Sequence, residues 1–317
     1  MNITWNQSVR NSIKSADVAN RQLHTECFSE GKFPIKIPLE FADKIEVGNP
    51  LDPLLLQVLP STSQAQDGFS DSPLEDEKFS PIQGLIHKYT SRVLLIASRV
   101  CAIHCQYCFR QNFDYEEHDI LSNWQEIEQY LEANLGVNEV ILSGGDPLTL
   151  SDGKIEKIVK SVEGIEHIKI LRIHSRTAVV VPSRITDKLS EILSRTRLKV
   201  VMVFHINHPR EISADFINQV KKLQSLTLLN QSVLLKGVND NASILAALSH
   251  KLFESSIMPY YLHLLDKVSG AEHFLLSDEK AKDIYRELQK SLSGYLLPKL
   301  VRDEGGESKS LVIPLQN

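Results

Sequence analysis

The segment Cys101-Ala-Ile-His-Cys105-Gln-Tyr-Cys108 constrains this chain more than any other, because three of its four cysteines fall within eight residues. Spacing of this kind lets three thiolates fold around one centre. A closed iron or zinc site takes four protein ligands. Closing a site here would therefore need Cys27 or a histidine such as His104. A site left open would bind a small molecule at the vacant metal position. A disulfide framework is not expected. Four cysteines in 317 residues, behind an N-terminus (MNITWNQSVRNSIKSADV) with no apolar h-region, read as a cytoplasmic, reducing setting. Three inert buried thiols are the plain alternative, but the close spacing inside a mostly polar stretch argues against it.

Composition bounds the rest. Apolar residues make up 42% and charged residues 24%, the balance of an ordinary globule long enough for one large α/β domain or two smaller ones. The net charge of -5 supplies no sequence-wide basic field for nucleic acid or anionic lipid. No run approaches the ~18 apolar residues of a membrane span.

Three segments are expected. Residues 1–84 form a cap and linker: a helix near 8–25, a stretch broken by prolines at 34, 38, 50, 53 and 60, and an exposed linker over 61–80. Residues 85–290 form the core. Six buried-strand runs stand out there, at 92–97, 137–142, 168–173, 198–203, 228–235 and 258–264. Helical patterns alternate with them, with Ser151 and Ser277 as N-caps. Alternating strands and helices predict a parallel sheet. Six units are too few for a closed eight-fold barrel, so the expected fold is α/β, a partial open (β/α)6 barrel with ligands beyond the carboxyl ends of its strands. Residues 291–317 form a C-terminal segment.

Polar motifs cluster at those strand ends. Arg110 follows the cysteine loop, and its guanidinium suits a substrate carboxylate. Ser143-Gly144-Gly145-Asp146-Pro147 ends the second strand, where paired glycines let backbone approach a ligand, though the same run is also an ordinary turn. His205 and His208 end the fourth, in a hydrogen-bonding role toward a nucleoside or cofactor or in a structural one. Near the C-terminus Gly305-Gly306-Glu-Ser-Lys309 offers a lysine that could form a Schiff base if desolvated; an exposed tail lysine is the alternative.

The CxxxCxxC spacing, with Tyr107 before the third cysteine, resembles the cluster loop of radical S-adenosylmethionine (SAM) enzymes. The Ser-Gly-Gly-Asp run resembles the loop by which they hold the methionine amino group. In order along roughly residues 30–315, the motifs together resemble the lysine 2,3-aminomutase family. They are Ser80-Pro-Ile-Gln-Gly-Leu-Ile-His-Lys-Tyr89, Arg92-Val-Leu-Leu, the cysteine loop with Arg110, Ser-Gly-Gly-Asp, His-x-Asn-His-Pro, Asn230-Gln-Ser-Val-Leu-Leu-Lys-Gly-Val-Asn-Asp240 and the Gly-Gly…Lys tail. The likeness is strongest to the short members that act in elongation factor P modification.

The resemblance implies a [4Fe–4S] cluster on Cys101, Cys105 and Cys108, with SAM on its fourth iron. It implies SAM contacts from Ser143, Gly144, Gly145, His205 and Gln231. Lys309 matches the lysine that holds pyridoxal 5′-phosphate (PLP), and Tyr89 and Arg92 fall where the family contacts that cofactor. Arg110 matches the residue for the substrate carboxylate, and Asp266 and Asp303 match the two acids for the distal ammonium of lysine. The implied reaction converts L-α-lysine to (R)-β-lysine by hydrogen abstraction from Cβ and migration of the α-nitrogen. An electron donor of the flavodoxin or ferredoxin type and a functional link to elongation factor P and its lysyl ligase are implied partners. The long family members carry extra cysteines for a structural zinc, which is not expected here. The Asp303-to-Lys309 loop is slightly shorter than in those members. A 2,3-aminomutase for another amino acid or for free β-lysine, a radical SAM enzyme without PLP, and a zinc module stay open as alternatives.

Overall fold

The computed structural model describes residues 4–61, 67–113, 120 and 122–303, with the backbone of 311–312. Nine strands form one sheet whose spatial order follows sequence order. They are β1 Leu85–Tyr89, β2 Arg92–Ser98, β3 Glu139–Gly144, β4 Ile170–Ser175, β5 Lys199–His205, β6 Thr227–Val233, β7 Met258–His263, β8 Lys299–Arg302 and β9 Leu311–Val312. β2 to β8 run parallel, while β1 and β9 pair antiparallel on the two outer edges. Six helices connect successive parallel strands: Trp124–Ala133, Asp152–Gly164, Asp187–Arg195, Ala214–Val220, Ala242–Glu254 and Asp278–Ser291.

Each parallel pair needs a crossover, and crossovers share one hand. When strand order never reverses, all crossover helices fall on one side of the sheet. Outward side chains such as Val93, Leu95, Val140, Leu142, Leu171, Ile173, Met202 and Phe204 therefore pack against helix residues Ile127, Leu131, Ile155, Val159, Leu189 and Phe216. Each such side chain contributes ~1.5–3 kcal/mol when fully buried. The inner face is left for ligands. Among the described residues the first and last strands do not pair, so the barrel is open, as expected. Ser151 and Ser277 cap their helices, accepting from the backbone N–H of Lys154 and Lys280.

Several expectations shift. The parallel set has a seventh strand, β8, inside the stretch read as a C-terminal segment. Its four residues after Pro298 are too short to stand out, and pairing with β7 is what makes them a strand. Strands β3 and β4 begin two residues later than the apolar runs. Val137 and Ile168 are fully buried in the preceding turns, so apolarity there marks burial rather than pairing. The helix near 8–25 is two helices, Trp5–Arg10 and Ala16–Gln22. Between them Ile13 exchanges backbone hydrogen bonds with Ile37 at 2.8 and 3.0 Å. The linker over 61–80 is not wholly exposed: Asp76 opens a 3-10 turn, Asp76–Phe79, and is buried.

The N-terminal segment has its own apolar cluster, including Ile13, Phe28, Ile37, Phe41, Leu54 and Val58, which packs on Ala102 and Ile103 of the cysteine loop. It also holds that loop by backbone: His104 N–H donates to Lys36 O and Gln106 N–H to Gln57 O, both at 3.0 Å. Lys36 Nζ donates to Cys101 O at 2.6 Å. No helix among the described residues is long and apolar enough to cross a membrane.

Candidate active site

Side chains alternate faces along a strand, and this alternation builds the site. Arg92, Leu94, Glu139, Ile141, Ser143, Arg172, His174, Val201, His205, Gln231 and His263 all point inward and line one cavity of about 610 Å³. The cysteine loop, arriving at the carboxyl end of β2, contributes Cys101, Cys105 and Cys108 to the same wall. Arg110, Asp266 and Asp303 also line the cavity, and Tyr89 lies with Arg92, whose guanidinium stands 3.6 Å from the Tyr89 ring centre.

The Gly-Gly turn is shaped first by protein. Gly144 has φ +107, and a Cβ on Gly145 would lie 2.5 Å from Val100 O. Gly145 N–H donates to Ser98 O at 2.8 Å and Asp146 N–H to Val100 O at 2.9 Å, so the turn clasps the entry to the cysteine loop. Asp146 is a brace. Its carboxylate accepts from the Leu148 N–H (2.9 Å), the Ser175 hydroxyl (2.9 Å), and the Arg176 and Thr177 N–H groups (2.7 Å each). These bonds tie the ends of β3 and β4 together.

A second polar network lies behind the cysteines. Glu211, fully buried, accepts from the backbone N–H of Asn207 (2.9 Å) and His208 (3.0 Å) and pairs with Arg176 at 3.2 Å. Gln57 Oε1 receives Arg176 Nη2 at 2.8 Å and Asn207 Nδ2 at 3.0 Å, and Asn207 also donates to the Tyr107 hydroxyl at 2.7 Å. The network joins the N-terminal segment, the cysteine loop and the ends of β4 and β5.

Burial pushes all three cysteine thiols up, Cys108 to about 12, and neighbouring cysteines add to it at Cys101 and Cys108. The protein alone thus disfavours three thiolates, and a cationic centre is what would offset their charge. The donor set fits an iron–sulfur cluster. It fits a single zinc ion poorly. Among the described residues no group of three or more His, Cys, Asp or Glu side chains is arranged to hold one metal ion. Neither Cys27, which is exposed, nor His104 lines the cavity with the three cysteines. Four buried polar atoms on the cavity wall have no protein partner: His174 Nε2, His205 Nε2, and Arg176 Nε and Nη1. Buried polar atoms normally find a partner, so this wall suits a polar ligand. Burial holds both imidazoles neutral, His205 down to about 3 and His174 well below its ordinary value.

The radical SAM superfamily profile matches residues 95–242, which span the cysteine loop through β6. An L-lysine 2,3-aminomutase of Haemophilus influenzae is 50% identical over 280 residues, covering 87% of this chain and 83% of that protein. One from Escherichia coli K12 is 48% identical over 90% of this chain and 84% of its own length. One from Clostridium subterminale is 33% identical over 98% and 78%. The chain belongs to the lysine 2,3-aminomutase family. The radical SAM match implies a [4Fe–4S] cluster and SAM.

In this member of the aminomutase family, thirteen of the fourteen residues to which the resemblance gave a role line the cavity. The fourteenth, Lys309, lies outside the described residues. His208, by contrast, caps the 3-10 turn Pro209–Glu211, its Nδ1 accepting from the Arg210 N–H at 3.2 Å; its role is structural. Sequence reasoning passed over Asp76, His174, Arg172, Glu139 and Arg176. Arg172, His174 and Glu139 carried a signal: polar residues at alternate positions inside otherwise apolar strands mark an inner wall. Asp76 carried none, since it sits in a run of surface-like acids.

Proposed function

We propose that the protein is a radical SAM, PLP-dependent aminomutase that converts L-α-lysine to (R)-β-lysine. What supports this reading most is one cavity lined together by the three cysteines, a guanidinium, Arg110, and two carboxylates, Asp266 and Asp303. That pattern matches an α-carboxylate and a distal ammonium, and it repels a substrate with an anionic end. Cys101, Cys105 and Cys108 would hold the cluster, Ser143, Gly144, Gly145, His205 and Gln231 would contact SAM, and Tyr89, Arg92 and Lys309 would hold PLP. When bound, these groups supply radical hydrogen abstraction and an electron sink for the migrating nitrogen.

The chain's own residues would orient and exclude. Arg110 takes the carboxylate end, the two aspartates take the ammonium end, and the inner walls of β2–β7 keep water from the reacting carbons. The resemblance to short members supports a role in elongation factor P modification, with a flavodoxin- or ferredoxin-type electron donor.

The test is anaerobic assay of the iron-reconstituted protein with PLP, SAM, a reductant and L-lysine, with mass detection of β-lysine and 5′-deoxyadenosine. β-Lysine is expected, and its loss in Lys309→Ala. Deoxyadenosine without β-lysine would reject free lysine as the substrate and turn the search to another amino acid or to protein-bound lysine.

Asp266 adds a pH signature. Burial, with Asp303 and Asp76 nearby, pushes its carboxyl up to about 7, against the opposing pull of His263 and Arg110. An arriving ammonium favours the ionised form, so lysine binding releases a proton near neutrality. Below pH ~7 the neutral acid binds the cation poorly, and affinity falls by up to about ten-fold per pH unit. Calorimetry in two buffers of different ionisation enthalpy reads the proton. A buffer-independent enthalpy between pH 6 and 7 would remove Asp266 from ammonium binding.

A further inference from the structure

We infer that Asp76 is a positioning residue: it sets the plane of the Arg110 guanidinium and thereby selects substrates that carry an α-carboxylate. The inference rests on the reading of Arg110 given above. Arg110 reaches the cavity from the loop after Cys108 on a long, rotatable stem, so its aim needs outside support. Three contacts contribute to it. Arg110 Nε donates to Asp76 Oδ2 at 2.9 Å, with both side chains largely buried, 8% and 12% exposed. Nη1 donates to the Ser143 hydroxyl at 3.3 Å, and the guanidinium carbon lies 4.7 Å from the Phe109 ring centre.

The Asp76 contact is the charged one of the three, and it takes the Nε edge. A guanidinium has five N–H donors in one rigid plane. Holding it by Nε and Nη1 fixes that plane's rotation and tilt. Asp76 also comes from far away in sequence, 34 residues before Arg110. Its delivery has a backbone cost. The preceding residue, Glu75, sits in the left-handed region at φ 51, ψ 38. A non-glycine residue there is uncommon, and it persists where the surrounding contacts hold it. The segment before β1 is thus bent so as to bring one carboxylate against one arginine inside the cavity, and Asp76 itself lines the cavity wall.

A purely structural ion pair would tie the segment down without affecting what the cavity selects. A positioning role predicts something narrower. L-Lysine and 1,5-diaminopentane share two amines, and only lysine has the carboxylate. Their relative affinity therefore reports the aim of Arg110 independently of the ammonium end.

The experiment uses the iron-reconstituted protein loaded with PLP and SAM, without reductant so that nothing turns over, and measures both affinities by calorimetry. Wild type is expected to prefer lysine, and Arg110→Gln to lose that preference. Asp76→Ala is expected to lower the lysine-to-diaminopentane affinity ratio by about 10–100-fold, as for loss of a charge-assisted contact that fixes orientation; any effect on the ammonium end is shared by both ligands and leaves that ratio unchanged. Asp76→Asn keeps an acceptor for Nε and is expected to recover part of the loss. If Asp76→Ala loses iron or folds poorly, Asp76→Asn alone decides: its lysine preference must fall between wild type and Arg110→Gln. Equal weakening of both ligands, or no change in their ratio while Arg110→Gln abolishes it, would overturn the positioning role and leave Arg110 intact. Absence of any lysine preference in wild type would instead overturn the reading of Arg110.

Discussion

Cys105→Ala is expected to abolish cluster assembly and to lower β-lysine formation by more than about a thousand-fold, ~4 kcal/mol on the barrier. The three thiols share one wall of the cavity. An open cluster already depends on only three protein ligands, so removing one leaves a centre held by two. Among the described residues neither candidate replaces it: His104 and Cys27 do not line the cavity, and Cys27 is exposed. Iron and sulfide per chain after anaerobic reconstitution measure the first effect and product formation the second. Cys27→Ala is the control and is expected to match wild type in both. Full iron content in Cys105→Ala would mean that the three cysteines do not act as one ligand set.

Glu211→Ala is expected to cost about 3–5 kcal/mol of folding stability and to weaken iron retention as well. The stability term comes from leaving Arg176, 5% exposed, as a buried unpaired cation. The backbone N–H groups of Asn207 and His208 also lose their acceptor. Against a typical total of about 5–15 kcal/mol, this is a large fraction. The iron effect follows from what the network touches. Arg176 stands beside Cys105, and Gln57 and Asn207 reach Tyr107 of the cysteine loop. Loosening Glu211 therefore loosens the frame of the loop. Glu211→Gln keeps acceptor capacity and is expected to lose less. Denaturant unfolding of the two variants reads the stability term. A loss below about 1 kcal/mol in Glu211→Ala would show that the cavity left behind fills with water that serves Arg176 equally well.

What the sequence by itself determined is whatever depends on residues close together in the chain. The three cysteines occupy one loop because eight residues contain them. The alternation of apolar runs with helical periods dictates parallel strands joined by crossovers of one hand. Helix starts at Ser151 and Ser277 follow from local capping chemistry. Tertiary structure decided the rest, because it concerns partners far apart in sequence. His205 and His208 look alike in one short run. Strand direction sends His205 into the cavity, and the turn after β5 makes His208 a cap. Asp146 reads as a turn residue, yet its carboxylate finds four donors, three of them about 30 positions away. Gln57, in a proline-broken stretch, meets Arg176 across 119 positions and Asn207 across 150. Asp76, inside a run of surface-like acids, becomes a wall of the site once Arg110 is there to receive it. A buried polar side chain normally takes a hydrogen-bond partner, and which one it takes is set by the way the sheet curls rather than by its neighbours in the chain.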